Sequence, residues 1–435
     1  MKLDELKHRF FKLAAFNILS NLMVPLASLV DTAFLGHLAE IRHLAGVALA
    51  AVLFKYLYWT FGFLRMATTG LTAQAMGRRD KETVWLILLR NSILACLIGC
   101  MILLLRVPVR EIGFWILRAA PEIETSGQDY YNALVWGAPA TLINFALLGW
   151  FLGRENGRQV LLLSMVSNLS NIALNYWFIV QLGWASAGAG AATALSQYLM
   201  LVTGLIFIVW EQPGKMLRTV APQIWNWSEL KASIILNSNI LIRTFAIISV
   251  FSLFINFSAN LGTEVLAINA LLMEVIGLSA YFLDGLAFAT ESLAGNFQGE
   301  SDSSQLRQLL RLSGGLSLGL GLSLPLIFIT VPRIFFQLLT SHSEIIDGIE
   351  QYVLWLLPVI GFGSIAFMLD GYFLGLTAGK VLRQSAVLSA IVACIPMLIN
   401  LRFFQSIHLL WFALALFMLF RGLTLGRQVA PTLSR

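Results

Sequence analysis

Twelve long apolar stretches, separated by short polar segments, follow one another along the 435 residues of the chain. Each holds the roughly 20 apolar residues that an α-helix needs to cross a hydrocarbon core of about 30 Å. The pattern therefore predicts an all-α polytopic membrane protein with twelve transmembrane helices. We place the helices at 11–35, 46–72, 83–106, 128–152, 158–181, 187–210, 232–257, 264–292, 306–331, 346–376, 382–402 and 408–426.

The last six stretches repeat the first six. The segment Gly149-Trp150-Phe151-Leu152-Gly153 returns as Gly371-Tyr372-Phe373-Leu374-Gly375, and the same offset of 222 residues carries Asn17 to Asn239. One constant offset over most of the chain indicates two copies of one unit. Six spans per copy is an even number, so both copies begin on the same side of the membrane. We therefore expect two parallel-repeat six-helix lobes around a central cavity, the arrangement of many transporters.

The expected lobes cover residues 1–210 and 232–435, and a cytoplasmic linker covers 211–231. The linker interrupts the apolar pattern with Pro213 and Pro222. Its two tryptophans, Trp225 and Trp227, suit the headgroup level of a bilayer.

Composition agrees with a membrane protein, because 58% of the residues are hydrophobic and only 12% are charged, about half the share in a soluble domain. Most of the 29 Lys and Arg residues fall on the side of the N-terminus. The bias predicts a multi-pass protein of the plasma (inner) membrane with both termini cytoplasmic. It also accounts for the net charge of +6 without nucleic-acid binding. The basic residues expected on the outer side are Arg42, Arg106, Arg110, Arg118, Arg333 and Arg402.

Two polar stripes in the first copy are the strongest candidates for a functional site. Residues on one face of a helix recur every three or four positions, and polar groups are expensive in lipid. We therefore expect both stripes to line a wet cavity, with the acid Asp31 as its chemical centre and Pro25 as a hinge in the first helix. The stripes comprise Asn17, Asn21, Ser28 and Asp31 in the first span, and Ser164, Asn168, Asn171 and Asn175 in the fifth.

The second copy carries further intramembrane acids. Asp370 precedes the repeated glycine segment, where the first copy has Leu148. We expect Asp370 and Asp284 to take part in function. Glu274 is expected to form a structural ion pair with Arg243. Glu291 lies where either a solvated or a functional role is open, and Arg65 is a further candidate for the cavity.

The chemistry that suits these acids is proton carriage. Burial disfavours a charged carboxylate, so such a group can take up a proton on one side of a membrane and release it on the other. A carboxylate with amide and hydroxyl oxygens nearby can also bind Na⁺, so sodium coupling stays open. The five histidines and three cysteines are scattered, and we expect neither a metal site nor a cofactor beyond the coupling ion.

Several motifs resemble the multidrug and toxic compound extrusion (MATE) transporters. Val30-Asp31-Thr32-Ala33 is similar to their first-helix motif, and the stretch from Phe63 to Gln74 resembles the DinF-type branch of the family. Ala280-Tyr281-Phe282-Leu283-Asp284-Gly285 and Leu369-Asp370-Gly371 point the same way. The resemblance implies two six-helix lobes and export driven by inward proton or sodium flow. It also implies that Asp31 is the principal protonation site and that the first helix bends near Pro25, with Asp284 and Asp370 contributing.

The chain departs from that family at Asn175, where many relatives carry an aspartate. Because an amide cannot titrate, Asp31 would work with a neutral partner. We therefore expect a monomeric antiporter, not an enzyme, that exports small amphipathic organic compounds in exchange for protons and contacts membrane lipids. Sodium-coupled export stays open, as does a lipid-precursor flippase, although Arg65, Arg243 and Lys55 are few for a basic cavity.

Overall fold

The computed structural model describes residues 3–38, 40–211, 214–337 and 342–434, without the side chains of 215–217. Pro213 of the expected linker lies outside the described residues. The helices are α1 (Leu3–Gly36), α2 (Ile41–Phe61), α3 (Phe63–Gly77), α4 (Lys81–Leu104), α5 (Arg106–Leu117), α6 (Pro121–Leu134), α7 (Ala138–Gly153), α8 (Gly157–Asn175), α9 (Ala185–Trp210), α10 (Gly214–Val220), α11 (Trp227–Asn260), α12 (Thr263–Gly299), α13 (Ser303–Thr330), α14 (Pro332–Phe336), α15 (Ser343–Tyr352), α16 (Leu356–Gly375), α17 (Gly379–Ile399), α18 (Ile407–Arg427) and α19 (Val429–Leu433).

Eleven helical segments in the described part of the chain are long and apolar enough to cross a membrane. The remaining predicted span, the fifth (158–181), is α8 together with the π-helical turn Tyr176–Gln181. It is the span that carries a full polar stripe, which lowers its hydropathy. The helices thus confirm the predicted all-α architecture and its twelve spans.

Several predicted spans differ in detail from the helices that form them. The fourth is divided into α6 and α7, and the tenth into α15 and α16. The second is divided at Gly62 into α2 and α3, because glycine is a weak helix former. The segment expected as a linker contains α10, and α11 already begins at Trp227. Trp225 and Trp227 are both more than 70% exposed (73% and 71%), as their expected place at the headgroup level requires.

The helices form two compact units. The first unit is Leu19–Ser233, and the second is Met1–Ile18 with Ile234–Arg435. In the first unit, α4, α7 and α8 enclose a core centred on Trp150, whose indole N–H donates to the carbonyl of Val84 at 3.0 Å. In the second, Trp411 occupies the core and donates to Asn269 Oδ1 at 2.9 Å.

The backbone repeats the duplication seen in the sequence. Asp80 begins α4 and Asp302 begins α13, and each carboxylate accepts a hydrogen bond at 3.0 Å from the backbone N–H three residues on. The residues directly before them, Arg79 and Ser301, have φ values of 58° and 57°. Aspartate is a favoured N-cap because it satisfies a free N–H of the first turn. The two copies therefore share local turn geometry as well as sequence.

The repeated glycines bring two helices of each unit together. A Cβ on Gly153 of α7 would lie 2.7 Å from Thr72 Cβ and 2.9 Å from the backbone nitrogen of Ala73, both in α3. A Cβ on Gly375 of α16 would lie 2.8 Å from the nitrogen of Gly295 in α12. All three distances are shorter than real Cβ contacts, so only glycine permits these backbones to approach so closely.

We expect Gly153→Val to destabilise the first unit by about 1–3 kcal/mol, the usual cost of overpacking a close contact. Its side chain would meet the α3 backbone, which cannot move aside as a flexible side chain does. The melting temperature of the detergent-solubilised protein is measured by size-exclusion chromatography after heating. Gly315→Val is the control, since nothing lies within 4 Å of a Cβ there. Equal melting of both variants would contradict the expectation.

Candidate functional site

Asp31 and Asn175 meet in the first unit. Asp31 lies on α1, a single helix that continues through Pro25, and Asn175 is the last residue of α8. The Nδ2 atom of Asn175 donates a hydrogen bond to Asp31 Oδ1 at 2.5 Å. Asn175 is completely buried and Asp31 is half-buried. The two predicted stripes therefore come together at these residues.

The hydrogen bonds continue from Asn175 to α9. Asn175 Nδ2 also donates to Asn171 Oδ1 at 3.2 Å, and Asn171 lies 3.1 Å from Thr193 Oγ1. Asn171 also donates a hydrogen bond to Asp31 when the Asn171 amide is turned over. Its nitrogen then lies 2.9 Å from Asp31 Oδ1, and its oxygen accepts a hydrogen bond from Thr193 Oγ1. Such an amide turn leaves the heavy-atom positions almost unchanged. Asp31 is thus held by amides from two successive turns of α8.

Thr193 and Tyr130 belong to this site, although neither was among the predicted site residues. Tyr130 of α6 is buried and lies within electrostatic range of Asp31. A signal for Thr193 existed, because Ser186, Thr193 and Gln197 share one face of α9. No comparable signal pointed to Tyr130, since single tyrosines are common in apolar spans.

The other residues of the α8 stripe, Ser164 and Asn168, make contacts that do not involve Asp31. Asn168 Nδ2 donates to the carbonyl of Ser164 at 2.7 Å, within its own helix. Ser164 Oγ lies 2.5 Å from Ser20 Oγ, which joins α8 to α1 a second time. Gln197 Nε2 donates to Ser167 Oγ at 3.1 Å. Polar contacts therefore extend along α8 beyond the Asp31 site.

The α1 stripe does not stay together. Ser28 is exposed, Asn21 is half-buried, and Asn17 is buried within the second unit. Neither polar atom of the Asn17 side chain has a hydrogen-bond partner among the described residues. Of the four predicted α1 residues, Asp31 alone joins the hydrogen-bond network described above.

The Asp31 site combines one acid with neutral hydrogen-bonding groups. Asn175 is suited to serve either protonation state of a carboxyl group, since an amide can donate to a carboxylate or accept from a carboxylic acid. Its Oδ1 atom is buried and accepts no hydrogen bond from any residue that the structure describes. A turn of that amide would offer this oxygen to a protonated Asp31.

A second polar site lies in the second unit, around Asp370. Arg243 of α11 and Arg421 of α18 both donate to Asp370 Oδ2 on α16. All three are buried, with exposed fractions of 8%, 1% and 4%. The Arg243–Asp370–Arg421 triad corrects one expectation: Arg243 pairs with Asp370, while its expected partner Glu274 is exposed.

The other predicted acids of the second unit both lie on α12. Asp284 is half-buried and close enough to Arg421 to interact with its charge. Glu291 is completely buried, so it is not solvated, and its backbone carbonyl packs against Gly375. Arg65, the remaining basic candidate, is half-buried on α3 in the first unit.

Comparison with known proteins agrees with this architecture. The sequence model of the MatE family matches residues 17–177 and 240–400, one segment in each copy. The chain is 33% identical over 416 residues to DNA damage-inducible protein F of Escherichia coli, an alignment that covers 94% of this chain and 89% of the relative. It is 26% identical over 427 residues to Protein DETOXIFICATION 44, chloroplastic, of Arabidopsis thaliana, covering 94% and 80%.

Among solved structures, a MOP superfamily transporter from Pyrococcus furiosus superposes with a TM-score of 0.87. The match covers 99% of this chain and 96% of that one, at 19% sequence identity. A likeness at that identity establishes the fold.

Proposed function

Because this chain belongs to the MATE family of multidrug and toxin extrusion transporters, we propose that it is a proton-coupled antiporter. It exports amphipathic organic compounds from the cytoplasm in exchange for inward proton flow, by alternating access. Both termini lie on the cytoplasmic side of the inner membrane, which the distribution of Lys and Arg supports.

The observation that carries the proposal is the hydrogen bond between Asp31 and Asn175. Asp31 is the one titratable carboxyl group of this network, and its amide neighbours can bond either of its protonation states. When Asp31 takes up a proton, the hydrogen-bond donor changes from the Asn175 amide to the Asp31 carboxylic acid. The contact between α1 and α8 would then change although the heavy atoms of both side chains stay in place. That change is local, and Pro25 in the middle of α1 offers a point where the helix can bend in response.

Sodium coupling is the second candidate, favoured by the oxygen atoms around Asp31. A carboxylate, two amide oxygens and the Thr193 hydroxyl are ligands of the kind that hard cations prefer. One observation disfavours sodium. In the arrangement that gives every side chain of this network a hydrogen bond, Asn171 and Asn175 both point their amide nitrogen at Asp31. A cation in the same place would require both to turn away.

The experiment is transport by the purified protein in proteoliposomes loaded with a fluorescent cationic amphiphile such as ethidium. We expect an imposed pH gradient to drive ethidium movement in the direction opposite to protons. An equal and separate sodium gradient, without a pH gradient, should have no effect. Movement driven by sodium alone would replace the proton by sodium in the proposal, and movement driven by neither would overturn coupled export.

A further inference from the structure

The charged triad of the second unit has no counterpart in the first. The constant offset between the copies places Asn21, Leu148 and Leu199 at the positions of Arg243, Asp370 and Arg421. Buried ion pairs are seldom more stable than well-packed apolar side chains of the same volume. Packing alone therefore gives no reason for this copy to hold three charges where the other holds none.

The triad carries more positive than negative charge. Two guanidinium groups share one carboxylate, and they share a single oxygen of it, Asp370 Oδ2. Asp284 adds a second negative charge close to Arg421, but it is half-buried, at the edge of the cluster. The fully buried centre is thus built to surround an anionic oxygen.

The surroundings of Arg421 fix the direction in which it can donate. Its guanidinium lies over the rings of Phe367 and Phe417, with centroids at 5.8 and 5.5 Å. Aromatic rings cover the faces of a guanidinium and leave its N–H edge for an anion in the same plane. The same rings form an apolar wall beside the charge, which suits a ligand with a charged head and an apolar body.

The backbone around the triad is held firmly. Gly371, directly after Asp370, packs against Ala287 of α12, where a Cβ would lie 3.2 Å from the Ala287 Cα. Asp370 can therefore leave the arginines only by turning its side chain, while α16 stays in place. The two arginines would then face the vacated position with their geometry unchanged.

We propose that Arg243 and Arg421 form an anion subsite that takes the carboxylate of an amphipathic substrate in place of the Asp370 side chain. Asp370 is the internal ligand that occupies the subsite until substrate binds. The inference rests on the proposed function for the nature of the ligand, an exported amphiphile. It adds carboxylate-bearing amphiphiles as a substrate class beside cationic ones such as ethidium, and it assigns their recognition to the second unit.

The test is binding of 11-(dansylamino)undecanoic acid and of its methyl ester to the purified full-length protein in nanodiscs, with empty nanodiscs as background. We expect the wild type to prefer the acid. Asp370→Asn removes the competing charge and should raise affinity for the acid by about ten-fold, the effect of roughly one charge-assisted hydrogen bond. Affinity for the ester should stay the same.

Arg243→Gln leaves Asp370 paired with Arg421, so it tests the subsite even if the Asp370 variant does not fold. We expect it to abolish the preference for the acid. Glu274→Gln, which neutralises an exposed acid on α12, is the control and should change neither affinity. Equal binding of acid and ester by the wild type and by both triad variants would overturn the inference and leave the triad as a structural link.

The assay uses no gradient, so its failure is distinct from failure of proton coupling. The variant Asp129→Asn, which neutralises an exposed acid on α6 of the first unit, should keep the preference for the acid. Loss of that preference in Asp129→Asn would contradict the assignment of the anion subsite to the second unit.

Discussion

Asp31→Asn is expected to abolish proton-driven export while leaving exchange of substrate down its own gradient. Asparagine imitates the size and the neutral charge of a protonated aspartate, so the helices can still pack, but no proton is taken up or released. One elementary charge moved through 100 mV supplies about 2.3 kcal/mol, and the variant would lose that driving force. The measurement is ethidium transport in proteoliposomes with a pH gradient, compared with exchange at equal pH.

Asp4→Asn is the matched control, since it changes an exposed aspartate at the start of the same helix. It should transport as the wild type does. Wild-type proton-driven export by Asp31→Asn would remove Asp31 from the coupling mechanism. Loss of both transport and exchange, with a normal melting temperature, would instead indicate that Asp31 binds substrate directly.

The neutral partner of Asp31 has a physical consequence for this mechanism. Two carboxylates in one site repel each other when both are charged, so their titrations are coupled. Asn175 removes that coupling and leaves a single titrating group held by an amide. Under the proposed proton coupling, a one-acid site of this kind favours a stoichiometry of one proton per cycle at the first unit.

Much of the fold could be predicted from the sequence because its signals are local. Apolar length marks each span, and the offset from Gly149 to Gly371 marks the duplication. The meeting of Asp31 with α8 was also accessible, since two polar stripes in neighbouring spans of one copy both need a place away from lipid. The polar stripes thus predict which helix faces meet, but not which atoms pair.

Charge pairing could not be predicted, because it depends on how helices are rotated and how deep each residue lies. Arg421 is six residues from the end of α18, a distance of about 9 Å along the helix, and a long side chain at that depth often reaches the surface. In the structure it turns inward to Asp370. Arg243 was assigned to Glu274 because both lie in adjacent spans, yet its carboxylate partner comes from α16.

Thr193 was missed for a different reason. A threonine in a helix commonly bonds to the carbonyl four residues earlier, as Thr193 does to Ala189 at 3.0 Å. Because such a residue needs no other partner, the face of α9 that it shares with Ser186 and Gln197 is only a weak signal. Its second role, beside Asn171, emerges only from the packing of α9 on α8.

The two copies have diverged into two different polar sites on one scaffold. Asp31 and Asn175 correspond to Leu253 and Met397 in the second copy, while Asp370 and Arg421 correspond to leucines in the first. Each site thus replaces apolar residues that the other copy retains, and the close glycine contacts are kept in both. The two copies therefore hold different kinds of site. The first unit holds a neutral hydrogen-bond network around one acid, and the second unit holds a charged triad.

Removal of one member of the triad should also destabilise the second unit strongly. We expect Asp370→Leu to destabilise the protein by about 3–5 kcal/mol, because it leaves two buried guanidinium groups without their shared counter-charge. The melting temperature in detergent measures the loss. Asp347→Leu is the control, since its ion pair with Arg333 is about 60% exposed on both sides (62% and 61%) and such pairs contribute about 0–1 kcal/mol.

Replacing all three members together separates the cost of unpaired charge from the value of the triad itself. The triple variant Arg243→Met, Asp370→Leu and Arg421→Met carries no buried charge at this place, and apolar replacements of similar volume are often neutral or stabilising. We therefore expect its melting temperature to return to within a few degrees of the wild type, well above that of Asp370→Leu alone. A triple variant as unstable as the single one would mean that the triad stabilises the second unit by its pairing. Recovery of stability with loss of preference for the carboxylate probe would mean that these charges are kept for binding.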